Sequence, residues 1–135
     1  MRSKISQLSP APLGLILDMD GVLWQENSPI GNLPEIFRRI KSLGLRVILA
    51  TNNSTRTVDQ YLRRLEGFGV TLESWQVVTS SLAVAELLSR RFPEKGDVFV
   101  IGEDGIRQAL TEKGFSVVQA GAAKKRPLSE AHFFC

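Results

Sequence analysis

A chain of 135 residues is long enough for one domain with a real hydrophobic core. One cysteine, Cys135, excludes an internal disulfide framework, and with His132 as the sole histidine a Cys/His zinc site is excluded too. The net charge of +3 invites a nucleic-acid reading, but Arg38-Arg39, Arg63-Arg64 and Arg90-Arg91 each fall late in an expected helix. Cations there complement the helix dipole and stay solvated, and no basic stripe with interleaved aromatics occurs.

No apolar run is long enough to span a membrane, and residues 1–12 lack the apolar stretch of a signal peptide. A cytoplasmic protein without nucleic-acid or membrane partners is expected. In chain order, Leu13-Gly14-Leu15-Ile16-Leu17 is a short continuous apolar run, the pattern of a strand buried on both faces in a parallel sheet. Asp18-Met19-Asp20-Gly21 follows where the strand ends. Alternation puts Asp18 and Asp20 on one side and Met19 on the other, and Gly21 lets the chain turn at once. Carboxylates at the carboxyl end of a central strand lie where open α/β sheets place their sites.

Two such carboxylates can divide a phosphoryl transfer between them. One can attack phosphorus and become an aspartyl-phosphate; the other can protonate the leaving oxygen and later deprotonate water. The anions repel each other and repel phosphate, which a hard divalent cation, Mg2+ by preference, would relieve. Asp-x-Asp-Gly is equally suitable as a plain turn that ends a strand.

Trp24 to Gly31 reads as an irregular stretch. Asn32 with Glu35 opens a helix striped by Ile36, Ile40 and Leu43 and stopped by Gly44. Leu45 to Ala50 is a second buried-strand run, ending in Thr51-Asn52-Asn53-Ser54. A helix capped by Ser54 or Thr55 follows, with Val58, Tyr61, Leu62, Leu65 and Phe68 on one face. Thr51 offers a hydroxyl, and Asn52 and Asn53 offer backbone N–H groups near a helix N-terminus, a suitable phosphate cradle. The same residues also suit a simple capped αβ unit.

Gln76 to Thr79 reads as a brief strand, and Ser80 or Ser81 as the cap of a helix through Leu87 and Leu88 that ends before Pro93. Asp97 to Ile101 is a strand, Glu103 to Lys113 a helix stopped by Gly114, and Phe115 to Val118 a last strand. Strand and helix alternate throughout, so the expected class is α/β with a Rossmann-like, doubly wound parallel sheet. Trp75 reads as packing; Trp24 reads as packing or as a wall of the substrate approach.

Asp18-Met19-Asp20-Gly21-Val22-Leu23 and Ile48-Leu49-Ala50-Thr51-Asn52-Asn53 resemble the first and second signatures of the haloacid dehalogenase-like phosphohydrolases. The Thr-Asn-Asn form resembles the subfamily with a large α/β cap, which includes p-nitrophenyl and sugar-phosphate phosphatases. The resemblance runs from about Leu13 to Val118. It implies that Asp18 is the nucleophile, Asp20 the acid/base, and Thr51 and Asn52, with Asn53 beside them, the holders of the transferring phosphate. It further implies Mg2+ held by Asp18 and Asp20, a small phosphorylated metabolite as substrate, and a mobile hairpin in the Trp24–Gly31 region.

On that resemblance residues 1–79 are the first part of a catalytic core, residues 80–120 the start of the cap, and residues 121–135 an atypical tail. The family's later Lys and acidic motif have no convincing match, and a truncated chain that is inactive or weak as a phosphatase and that self-associates is expected. Lys95 with Glu103 and Asp104 mimics the later motifs superficially. A compact capless phosphotransferase or phosphomutase-like enzyme using those three residues is one alternative; a non-catalytic phospho-ligand module is another.

Overall fold

The first apolar run forms strand β1 (Gly14–Leu17), after which the chain folds back in a two-stranded antiparallel hairpin, β2 (Trp24–Gln25) and β3 (Ser28–Pro29). Helix α1 (Leu33–Ser42) leads into β4 (Arg46–Thr51), and α2 (Val58–Gly67) leads through a 3-10 turn into β5 (Val77–Thr79). The remaining elements are α3 (Ser80–Arg91), β6 (Gly96–Val100), α4 (Asp104–Glu112), β7 (Phe115–Val118) and β8 (His132–Phe134). The computed structural model describes residues 7–118 and the strand 132–134. The chain divides into two units, Met1–Thr51 with Tyr61–Val78, and Asn52–Gln60 with Thr79–Cys135.

In the first unit the strand order is β1-β4-β5, and β1 runs parallel to β4 with Leu15 opposite Val47 and Leu17 opposite Leu49. Val47, Leu49 and Thr51 alternate inward along β4. With Met19, Leu33, Tyr61, Leu65 and Val77 they make the buried core. Each large apolar side chain removed from water there contributes about 1.5–3 kcal/mol. Glu35 donates its backbone N–H to Asn32 Oδ1 at 3.2 Å, so α1 is capped where the sequence places the cap.

Three expectations fail in this unit. β1 is not central: among the described residues it is an edge strand, neighboured only by β4. Nor is it buried on both faces: Gly14 and Ile16 are exposed where Leu15 and Leu17 are half-buried, and Leu13 and Ile16 are 83% and 77% exposed. Trp75, expected to pack, is 61% exposed, whereas Trp24 is completely buried. The burial of Trp24 decides for packing and against a wall of the substrate approach.

In the second unit β6 lies between β7 and β8, parallel to both. The strand β8 falls in a tail that the sequence leaves without any element; the rest of that tail, with Cys135, lies outside the described residues. Helices α3 and α4 and strands β6 and β7 bury Ala85, Leu88, Val98, Val100, Ala109, Leu110 and Phe115 in one cluster. On the surface Glu86 accepts from Arg90 at 2.8 Å and from Lys113 at 2.5 Å. The hydrogen bonds from Lys113 and Arg90 hold its carboxyl down at about 2.

The helix caps also differ from expectation. Thr79, not Ser80 or Ser81, caps α3, accepting from Leu82 N at 3.2 Å. The two serines instead hold the 52–54 loop: Ser80 Oγ donates to Asn52 O at 3.0 Å and Ser81 Oγ to Ser54 O at 3.2 Å. Likewise α2 begins at Val58, with Thr57 and Gln60 exchanging backbone-to-side-chain bonds at 2.9 and 3.3 Å. Neither Ser54 nor Thr55 caps it, because Asn53 Oδ1 takes the N–H and hydroxyl of Thr55 at 3.0 and 2.7 Å and ties the segment into an Asx turn.

Gly105 supports the same loop from α4. A Cβ built there would stand 2.3 Å from Ser54 O and 2.7 Å from Arg56 O, both backbone atoms, so the loop would have to move. Gly105→Ala is expected to lower stability by about 1–3 kcal/mol, the scale of overpacking a tight site. A thermal melt unchanged from the parent protein would show that the loop does not rest on α4.

Candidate active site

The turn after β1 is built around one carbonyl. Met19 O accepts from Val22 N at 3.2 Å, Leu23 N at 2.9 Å and Trp24 N at 3.4 Å, and Gly21 N donates to Trp24 O at 2.7 Å. Gly21 sits at φ +81°, left-handed backbone that a Cβ would strain, so the sharp turn expected of it is real. Met19 is buried while Asp18 and Asp20 are exposed, which matches the alternation read from the sequence.

Both carboxylates are held. Asp18 Oδ1 accepts from Met19 N at 2.8 Å, and Asp20 Oδ1 accepts from Trp24 Nε1 at 2.7 Å. The β1–β4 register, carried one residue past Leu17, sets Asp18 level with Ala50. That places it roughly 6 Å from Thr51 between Cα atoms on the neighbouring strand. Asp18, Asp20 and Thr51 therefore share the carboxyl end of one parallel strand pair, where α/β sheets place their ligands.

Thr51 differs from the two acids in being only 7% exposed, on the same side as Val47 and Leu49. Its hydroxyl is part of a buried strand end, not of an open cradle. Asn52 and Asn53 belong to the second unit, where Asn52 is exposed and Asn53 half-buried. The helix they were expected to adjoin starts only at Val58, so the cradle is a loop with its own Asx turn, not a helix N-terminus.

Thr51→Val, nearly isosteric, is expected to weaken phosphate binding by about 1–3 kcal/mol, the scale of a bond to a charged group. Thr51→Ser should restore it. Phosphate titrations that give one affinity for all three proteins would remove Thr51 from the site.

The alternative set does not assemble. Lys95 precedes β6 and Glu103 and Asp104 follow it, at opposite ends of a strand ~16 Å long. Lys95 is instead committed locally: Nζ donates to Ser89 Oγ at 2.5 Å and Ser89 O at 3.3 Å, and lies 5.4 Å from the Phe115 ring centroid. Glu103 occupies the N-cap position of α4 without a side-chain bond to it. Among the described residues no group of three or more His, Cys, Asp or Glu is placed to hold a metal ion.

Two residues of this site are underread in the sequence. Trp24 is the partner of Asp20, and Arg64 lies over the Trp24 ring with Cζ 4.5 Å from its centroid. Arg64 is thus not the solvated helix cation that its position in an Arg-Arg pair implies. The spacing Asp20-x-x-x-Trp24 is the available signal, since a tight glycine turn returns a side chain four residues on toward the acid.

An α/β chain with paired, exposed carboxylates and a threonine at the ends of adjacent parallel strands is the class defined by this fold and site. The family model of the haloacid dehalogenase-like hydrolases matches residues 15–116, and the chain belongs to that family. It is 35% identical over 114 residues to a chloroplastic phosphoglycolate phosphatase of Arabidopsis thaliana, covering 84% of this chain and 32% of that protein.

Among solved structures it is similar to a p-nitrophenyl phosphatase from Archaeoglobus fulgidus. The TM-score is 0.71 at 31% identity, over 81% of this chain and 41% of that one. A glycerol phosphate phosphatase of Mycobacterium tuberculosis, solved in complex with magnesium, matches with TM-score 0.71 and 26% identity over 84% of this chain and 32% of that one. The chain spans about a third of the length of the curated relatives it matches first.

Proposed function

We propose that this chain carries the reacting carboxylates of a cytoplasmic phosphomonoester hydrolase that acts on a small phosphorylated metabolite. The observation that supports this best is the exposed Asp18–Asp20 pair beside Thr51 at the carboxyl ends of β1 and β4. Family membership and phosphatase relatives support the same reading. Asp18 attacks phosphorus, the bond from phosphorus to the ester oxygen breaks, and Asp20 gives its proton to the departing alcohol. Water then attacks the aspartyl-phosphate, Asp20 takes a proton from it, and inorganic phosphate leaves with Asp18 regenerated.

The donor set fits Mg2+, which binds through one or two carboxylates together with substrate phosphate and water; Asp18 and Asp20 would hold it. When bound, it would supply charge stabilisation to the phosphoryl oxygens and offset the repulsion between the two acids. The test is p-nitrophenyl phosphate hydrolysis by the intact protein with Mg2+ and with chelator. Metal-dependent turnover supports the reading. Phosphate binding without turnover would leave a phospho-ligand module instead.

The same reading extends to assembly. β1 is an edge strand in the described sheet, with Leu13 and Ile16 open beside it, a combination that invites pairing between chains. Self-association in light scattering is expected, and Ile16→Lys should shift it toward monomer. A parent protein that is monomeric at all concentrations tested would refute this.

A further inference from the structure

We propose that Trp24 and Arg64 are positioning residues of this site: the Trp24 indole N–H fixes one oxygen of the Asp20 carboxylate, and Arg64 locks Trp24 in place. The proposal rests on the reading of Asp20 as the acid/base. Trp24 is completely buried, yet its single polar atom is aimed at the carboxylate of an exposed aspartate, 2.7 Å away. That is the short, charge-assisted end of the N–H···O range. A buried indole N–H needs an acceptor, and here that acceptor is a carboxylate of the site, a bond that phenylalanine could not make.

The ring cannot swing away from Asp20. Tyr61 stacks on it at 6.3 Å between centroids and 16° between planes, and Phe68 lies 6.0 Å away at 41°. The Arg64 guanidinium lies on it, 4.5 Å from the centroid. Tyr61 and Arg64 lie three apart on α2 and Phe68 follows directly after the helix, four residues on from Arg64, so the C-terminal part of α2 and the residue after it make the whole clamp. A cation on the indole face draws electron density from the ring and makes its N–H a stronger donor.

Arg64 has a second contact that joins the clamp to the hairpin. Its Nη2 donates to Glu26 O, the carbonyl of a residue at φ +51° in the hairpin turn. The hairpin, the indole and Asp20 are therefore tied to α2 through one guanidinium. With Oδ1 held, the Asp20 carboxylate keeps a single orientation and Oδ2 keeps a single place from which to give and take a proton. An exposed aspartate without that bond samples several rotamers. General acid–base catalysis requires the group to stay within hydrogen-bond reach of the reacting oxygen.

The test is NMR of the 15N-labelled chain together with turnover by the intact protein. Two tryptophans give two indole N–H signals, assigned by Trp24→Phe and Trp75→Phe. Asp20→Asn replaces a charged acceptor by a neutral one, so the Trp24 signal should move upfield and exchange with solvent about tenfold faster. Arg64→Met should move it in the same direction, and the Trp75 signal should stay in both. A Trp24 signal indifferent to Asp20→Asn overturns the proposal, whatever the protein catalyses.

In turnover, Trp24→Phe should lower kcat about tenfold or more with KM little changed. The loss should vanish in an Asp20→Asn background, because Trp24 acts only through Asp20. Equal losses in both backgrounds would also overturn it. Where the chain shows no turnover, the NMR result alone decides the clamp.

Discussion

Asp18→Asn is expected to abolish phosphatase turnover in the intact protein while leaving its fold intact. The amide keeps the shape of the carboxyl and keeps an oxygen for the bond from Met19 N, now 2.8 Å, so the turn around Met19 O loses nothing structural. What it loses is the anion that attacks phosphorus. Removing the nucleophile of a covalent mechanism has cost on the order of a million-fold in kcat in a hydrolase studied by systematic knockout. A loss of at least about a thousandfold is the conservative expectation here. The measurement is p-nitrophenyl phosphate hydrolysis at saturating substrate, with circular dichroism to confirm folding. Turnover close to that of the parent would exclude Asp18 as nucleophile.

Asp20→Asn should be severe in a different way. The general acid–base contribution is typically 100- to 10,000-fold, on the order of 10²–10⁴. p-Nitrophenolate departs without being protonated, so attack by Asp18 can still occur with this substrate. Hydrolysis of the aspartyl-phosphate still needs a base for water, and that step should stall. The expected trace is a burst of nitrophenolate equal to the enzyme present, followed by a slow steady state. An alkyl phosphate, whose leaving oxygen needs a proton, should show no burst. A proportional loss on both substrates with no burst would mean that Asp20 does not divide its work between the two steps.

The strands and helices were legible because each has a local pattern. β4 lies within one residue of its apolar run at each end, β7 matches Phe115 to Val118 residue for residue, and α1 starts from Asn32. The paired acids were legible for the same reason: two carboxylates, a strand end and a glycine turn are consecutive in the chain. Caps were read less well. Ser80 and Ser81 look like capping residues by type, but their hydroxyls bond to Asn52 O and Ser54 O, more than twenty residues away in the chain. Side-chain type states what a hydroxyl can accept or donate; only the fold states which partner arrives.

The exposure of β1 illustrates the same limit. Leu13 to Leu17 reads as buried on both faces because its composition is uniformly apolar, yet burial depends on what packs against each face, and Ile16 is left 77% exposed. Arg64 was read as a solvated helix cation because its position in α2 is all that sequence shows. The fold lays Trp24 beneath it, and its guanidinium then has an aromatic face and a backbone carbonyl in reach.

By itself, then, the sequence determined the α/β class, the two strand-end motifs and the chemistry that Asp18 and Asp20 can perform, since all three follow from residue type and short-range spacing. Tertiary structure decided which strand lies at the edge, which hydroxyls cap and which dock a loop, and that Lys95 and Asp104 stand at opposite ends of β6. It also decided that Trp24 and Arg64 belong to the acid rather than to the core alone. Those are questions of which distant segments meet, and contact across the chain is set by packing and register, not by the identity of neighbouring residues.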